Sequence, residues 1–180
     1  MSNNKIQPAT PNDGPLVIVF TDLNEAVSYK GDKKCVYWGN AYFAYSQVTD
    51  LGNLQSIEGD AFFEDSWVTS LGNLQSIRRD AYFGYSQITD LGNLQNIGWN
   101  ACFEDSQVTS LGGLKNIGEN AYFGYSQITS LGKLQNIGGD AFFGGSQIKS
   151  LGGLQSIGGD VYYQDSQVVL IEELKKRGLI

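Results

Sequence analysis

Carboxylates recur at a fixed interval along this chain. Glu64 and Asp65 are adjacent, as are Glu104 and Asp105, and Asp60, Asp80, Asp140 and Asp160 sit at equivalent places in a twenty-residue pattern. Paired carboxylates can run general acid–base chemistry or hold Ca²⁺. Neither use fits here. The pairs repeat as a surface pattern, with no base, nucleophile or metal partner at a workable spacing. The chain has no histidine, which removes Ser-His-Asp and Cys-His nucleophile systems and histidine-held metals together. The Asp column also lacks the dense ligand loop that Ca²⁺ takes. Two cysteines, Cys35 and Cys102, are too few and too separated for a disulfide framework. Cys102 replaces an aromatic at an outward strand position and reads as a free, exposed thiol. The expectation is a protein with no catalysis, no cofactor and no metal.

The residues that remain are positioned by a repeat. Leu51 to Ser70 reads LGNLQSIEGDAFFEDSWVTS, and the unit returns at Leu71, Leu91, Leu111, Leu131 and Leu151 without insertion or deletion. A period of this size marks a solenoid, in which equivalent residues stack coil upon coil. The apolar columns must therefore line the interior. They are the Leu51, Leu54 and Ile57 columns, the Ala61 and Phe63 columns, and the Val68 column. Ala-x-Phe is a period-two step and predicts a short strand, with successive strands paired in parallel about 4.8 Å apart. Leu-x-x-Leu-x-x-Ile has a three-residue step and predicts a tight helical or irregular return. A Ser column follows the strand, where a hydroxyl can bond backbone of the neighbouring coil.

From Ala61 the unit runs A-x-F-x-x-S-x-V-x-x-L-x-x-L-x-x-I, which resembles leucine-rich repeats. It looks most like a short bacterial and phage variety with an Ile-Gly-Gly step before the strand, as at Ile137-Gly138-Gly139 and Ile157-Gly158-Gly159. The resemblance covers roughly residues 35 to 174. It implies a right-handed solenoid with one parallel β-sheet, commonly used to hold proteins, and it implies no chemistry. This chain departs from the family's frame at two columns, with Ser at the usual Asn position and Ala where Leu is usual. A three-sided β-helix is the structural alternative.

Four segments follow. Residues 1–15 read as a flexible tail. Residues 16–34 read as an N-terminal cap, with a strand at Leu16 to Phe20, Thr21 as N-cap, Asp22 in the first turn and a short helix from Asn24 to Tyr29. Residues 35–170 form seven coils, the first degenerate. Residues 171–180 form a closing helix that Gly178 can end. No apolar run is long enough for a membrane span, and the start lacks a basic-then-apolar signal, so a cytoplasmic location is expected.

Function is left to the outward positions. Tyr42, Phe62, Tyr82, Tyr122, Phe142 and Tyr162 form an aromatic ladder interrupted by Cys102, flanked by Asp60, Asp80 and Asp140 and by Glu64 and Asp65. No Lys or Arg occupies these columns, although the chain carries twelve in all against nineteen acids, a net charge of -7. Such a face should attract basic surfaces and repel phosphate backbones. Trp67, Arg78, Arg79 and Trp99 break otherwise regular columns and are candidates for specificity, since Trp and Arg dominate binding hot spots. The expected function is a non-catalytic protein-binding solenoid, an inhibitor or adaptor for a basic partner, in its sharpest form a nucleic-acid mimic against a nucleic-acid-handling protein. Direct nucleic-acid and membrane binding are not expected. The alternative is carbohydrate or other small-ligand binding on the ladder. Ice binding is a weaker fit, because the Thr49, Thr69, Thr89, Thr109 and Thr129 column lacks a Thr-x-Thr pair.

Overall fold

Six fully buried phenylalanines run down the axis of the protein, one per coil. In the computed structural model, which describes residues 5–7, 17–31 and 33–180, Phe43, Phe63, Phe83, Phe103, Phe123 and Phe143 stack with ring centroids 4.9 to 5.5 Å apart and nearly parallel planes. The Leu51, Leu54, Ile57, Ala61 and Val68 columns complete the core. No coil closes its own interior, so the hydrophobic gain comes from stacking, as the period requires.

Two parallel sheets carry the stack. The Ala-x-Phe strands pair in register, Ala61 with Ala81, Ala81 with Ala101 and so on, giving seven strands from Ala41–Tyr42 to Val161–Tyr162. The expectation of one sheet is corrected. The Leu-x-x-Leu-x-x-Ile return ends in a second set of strands, Ser76–Ile77, Asn96–Ile97, Asn116–Ile117 and their equivalents, within a nine-stranded sheet. The three-residue step mixed two structures. Its first half is a turn, closed by the Leu74 N–H to the Leu71 carbonyl at 3.0 Å around Gly72 in the left-handed region. Its second half is extended, with the β-branched Ile inward and Ser or Asn outward. On the third side, single parallel bridges join Asp50 to Ser70, Asp90 to Ser110 and Ser130 to Ser150.

The N-terminal end is closed by sheet and helix. β1 (Lys5–Gln7) pairs antiparallel with β2 (Val17–Phe20), which pairs in parallel with β3 (Lys34–Tyr37). The rest of the expected tail, residues 1–4 and 8–15, lies outside the described residues. Helix α1 (Leu23–Ser28) is capped by Asp22 rather than Thr21, the carboxylate accepting from the Glu25 N–H at 3.0 Å. A carboxylate there also suits the positive end of the helix dipole. Ala26 beneath it is fully buried. In the degenerate first coil Cys35 takes an inward place, opposite Leu54, and its thiol donates to the Ala26 carbonyl at 3.4 Å.

At the other end α2 (Val168–Lys176) begins ahead of the boundary drawn from the sequence and buries Leu170 and Leu174. Its Glu173 accepts from the Leu151 N–H at 2.7 Å, and Arg177 donates to the Leu154 carbonyl at 2.9 Å, so polar contacts seal the last coil. Gly178, with φ 66°, lets the chain leave the helix. Among the described residues no helix is long and apolar enough to cross a membrane.

The Ser column behaves differently from the expectation. Only Ser166 reaches the neighbouring coil, donating to the Phe143 carbonyl at 2.7 Å. Ser46 and Ser126 bond the carbonyl three residues back, and Ser66, Ser86, Ser106 and Ser146 have no hydroxyl partner. The column is kept small and inward by the turn it closes, whose backbone bond (Ser86 N–H to the Phe83 carbonyl, 3.3 Å) needs no side chain.

Candidate binding surface

The aromatic ladder is present on the outer face of the seven-stranded sheet, as two runs. Tyr42, Phe62 and Tyr82 stack at 4.7 and 4.9 Å; Tyr122, Phe142 and Tyr162 stack at 4.6 Å each. The spacing is the strand spacing itself, so the pleat sets the stack and the rings cover one another. Only the ends, Tyr42 at 61% and Tyr162 at 46%, are widely exposed. Cys102 separates the runs. It is half-buried rather than exposed, and burial, with the charges of Glu104, Glu64 and Asp80, pushes its thiol up to about 11 from 9.0. Burial does the same to Cys35. At pH 8 the Cys102 thiol should therefore react with a disulfide reagent roughly a hundredfold more slowly than an exposed cysteine, with rates climbing towards pH 11, and the fully buried Cys35 should react more slowly still. Because these pKa values are raised on folding, their contribution to stability is complete below pH 9 and is lost as pH rises from 9 through 11. Reaction rates near those of an unfolded control at pH 8 would overturn this.

The Asp and Asn row beside the ladder has a structural task. Each side-chain Oδ1 accepts the backbone N–H of the equivalent residue in the next coil: Asn40 from Asp60 at 2.9 Å, Asp60 from Asp80 at 3.2 Å, Asp80 from Asn100 at 2.9 Å, Asn100 from Asn120 at 3.0 Å, Asn120 from Asp140 at 2.7 Å and Asp140 from Asp160 at 2.8 Å. Asn and Asp alternate freely here because the ladder needs an acceptor, not a charge. The Asp80 carboxylate also accepts from the Tyr82 hydroxyl at 3.4 Å, and burial together with that carboxylate raises the phenol to about 12.

Just past the strand, the Tyr45, Asp65, Tyr85, Asp105, Tyr125, Gly145, Asp165 column forms a corner in the left-handed region, with φ between 49° and 66°. Asp and Gly are at home there; Tyr is not, at a cost of about 1 kcal/mol or more each. Tyr45, Tyr85 and Tyr125 are nonetheless retained and exposed. Tyr45, Tyr85 and Tyr125 recur every forty residues along the chain. They alternate there with Asp65, Asp105 and Asp165, and the tyrosines themselves give no sign of left-handed backbone.

The irregular residues divide between two corners. Before the strand, Arg78 pairs with Glu58 at 3.0 Å and the Arg79 guanidinium lies 5.2 Å from the Trp99 ring. A shallow groove of ≈ 370 Å³ there is lined by Trp38, Asn40, Glu58, Arg78 and Arg79. After the strand, Trp67, 66% exposed, shares a groove of ≈ 400 Å³ with Tyr45, Asp65 and Tyr85. Glu64 is exposed beside it. Asp140, Tyr122, Phe142 and Tyr162 lie on the far half of the sheet, beyond Cys102. Lys115 and Lys133 line a separate groove with Asp90, at the turn leading to the other sheet. The aromatic face thus bears acids, with bases at its leading corner and elsewhere. No group of three or more metal-ligating side chains occurs among the described residues.

Fold and surface define a parallel β-solenoid of about seven turns with a laddered outer face. No protein-family model, no curated protein and no solved structure matches the chain.

Proposed function

We propose that the protein is a non-catalytic binding solenoid that uses the outer face of the seven-stranded sheet against a basic protein surface. The observation that carries this reading is the aromatic row flanked by Asp60, Asp80, Asp140, Glu64 and Asp65, with no cation in those columns. The partly exposed rings supply contact area with little side-chain entropy to lose, and the acids select the sign of the partner. The resemblance of the unit to leucine-rich repeats supports the same reading. A nucleic-acid-handling protein, met in the cytoplasm of a bacterial host, is the partner class that this acidic face suits best. An inhibitory or adaptor role follows from occupancy of that partner's basic groove.

Reversing the Asp row to Lys would break the Oδ1 ladder and confuse folding with binding. Replacing Asp60, Asp80, Asp140 and Asp160 by Asn keeps the Oδ1 acceptor of every rung, as Asn40, Asn100 and Asn120 already show. The four-fold variant should keep its melting temperature within a few degrees. Capture of a basic protein at low salt should fall about tenfold or more, while the parent releases the same protein at high salt. Identification by mass spectrometry of one basic protein lost on substitution supports the proposal. Capture unchanged by the four substitutions, or no capture at all, overturns it.

A further inference from the structure

We propose that the corner groove lined by Tyr45, Asp65, Trp67 and Tyr85 is a cage for the charged end of one lysine or arginine side chain; this rests on the basic-partner reading above and names the contact that anchors it. Tyr45 and Tyr85 belong to the coils on either side of Asp65 in one column, so their backbones stand about 9.6 Å apart, two strand spacings. A cation placed between them over the Asp65 carboxylate is within about 6 Å of both rings, the range in which a ring face attracts it. Trp67 walls the same groove from the coil of Asp65. Trp is the strongest cation-attracting ring, and it stands where Gln47, Gln87, Gln107, Gln127, Gln147 and Gln167 occupy the other coils.

Three further observations single out this place. Asp65 takes part in no ion pair among the described residues, so its charge is not spent within the fold. Tyr45 and Tyr85 are 88% and 65% exposed while holding left-handed backbone that Gly145 adopts in the same column without strain. Folding gains little from either ring. The next Tyr–Asp–Tyr step, Tyr85, Asp105 and Tyr125, has Gln107 in place of Trp, and its Asp105 already accepts from the Tyr85 hydroxyl at 3.3 Å. The complete set occurs once.

The test is titration of the full chain with Nα-acetyl-argininamide, Nα-acetyl-lysinamide and the neutral Nα-acetyl-leucinamide, followed by NMR at the Asp65 and Ser66 amides. Saturable shifts are expected with both cations at millimolar concentration, and binding of the neutral amide about tenfold weaker or absent. Trp67→Gln, Tyr85→Gly and Asp65→Asn should each weaken the cations about tenfold. The first two place residues that other coils carry in those columns, and Asn tolerates left-handed backbone, so folding is preserved. Tyr85→Gly should in addition raise the melting temperature. No saturable shift with either cation, equal binding of the neutral amide, or indifference to Trp67→Gln overturns the proposal. Cation binding without capture of any basic protein would sink the protein-binding reading and keep the cage. Capture of a basic protein undiminished by Trp67→Gln and Tyr85→Gly would sink the cage and keep the reading.

Discussion

Replacing Phe103 by alanine should cost about 3–5 kcal/mol, the range for deleting a buried phenyl ring without collapse of the site. Phe103 is fully buried and stacks on Phe83 at 5.1 Å and on Phe123 at 5.5 Å. The site cannot collapse, because both neighbouring coils are held at strand spacing by paired backbone. On one side the Phe103 N–H donates to the Tyr122 carbonyl at 2.8 Å, and on the other the Phe83 N–H donates to the Cys102 carbonyl at 2.9 Å. The cavity therefore persists and couples poorly to either side. In a solenoid, stability is a sum over coils and their interfaces, so weakening the middle interface should also split the unfolding transition in two. Urea denaturation followed by circular dichroism reads both effects. A single transition with a loss under about 1 kcal/mol would show that the axial phenylalanines are not the main tie between coils.

A second large effect separates two glycines that look equivalent. Gly92 and Gly112 stand in the same column with φ 55° and 54°. A Cβ on Gly92 would meet nothing within 4 Å, whereas one on Gly112 would lie 2.5 Å from the Gly92 carbonyl oxygen and 2.6 Å from its nitrogen. That carbonyl cannot swing aside, since it accepts from the Gly113 N–H at 2.7 Å. Gly92→Ala should therefore cost only the left-handed penalty, about 1–2 kcal/mol. Gly112→Ala should cost that and roughly 1–3 kcal/mol more for the overlap. Gly132 is as open as Gly92, and Gly72 and Gly152 are as crowded as Gly112. Equal losses at Gly92 and Gly112 in denaturant titrations would refute the distinction. The alternation follows the same forty-residue period as Tyr45, Tyr85 and Tyr125, so pairs of coils differ in backbone packing as well as in surface.

Much of this architecture was legible in the residues. The twenty-residue period names what stacks on what, because a solenoid translates each residue onto its equivalent. Inward columns follow from apolarity alone: Leu51, Leu54, Ile57, Ala61, Phe63 and Val68 are all buried. The outward aromatic row follows from the pleat, since Phe62 lies between Ala61 and Phe63. Cys35, in a stretch that had lost its leucines, fills an inward place that its sequence context did not announce.

What translation by twenty does not give is the path within a coil. The extended stretch at Ile57, and with it a second sheet, was hidden because a turn followed by a strand and a tight return both read as a three-residue step. The left-handed corner at Tyr45 and Asp65 was hidden because tyrosine gives no sign of such backbone. The Asp60 and Asp80 carboxylates looked like surface charge, and the fold uses one oxygen of each to hold the next coil's backbone. Trp67 and Arg79 looked like members of one set of exceptions, and the coil's turning placed them on opposite sides of the strand. The sequence by itself determined the stack, its interior and the row of rings. Only the closed coil decided which columns become neighbours across a corner, because that depends on backbone dihedrals and hydrogen bonds between residues far apart in the unit.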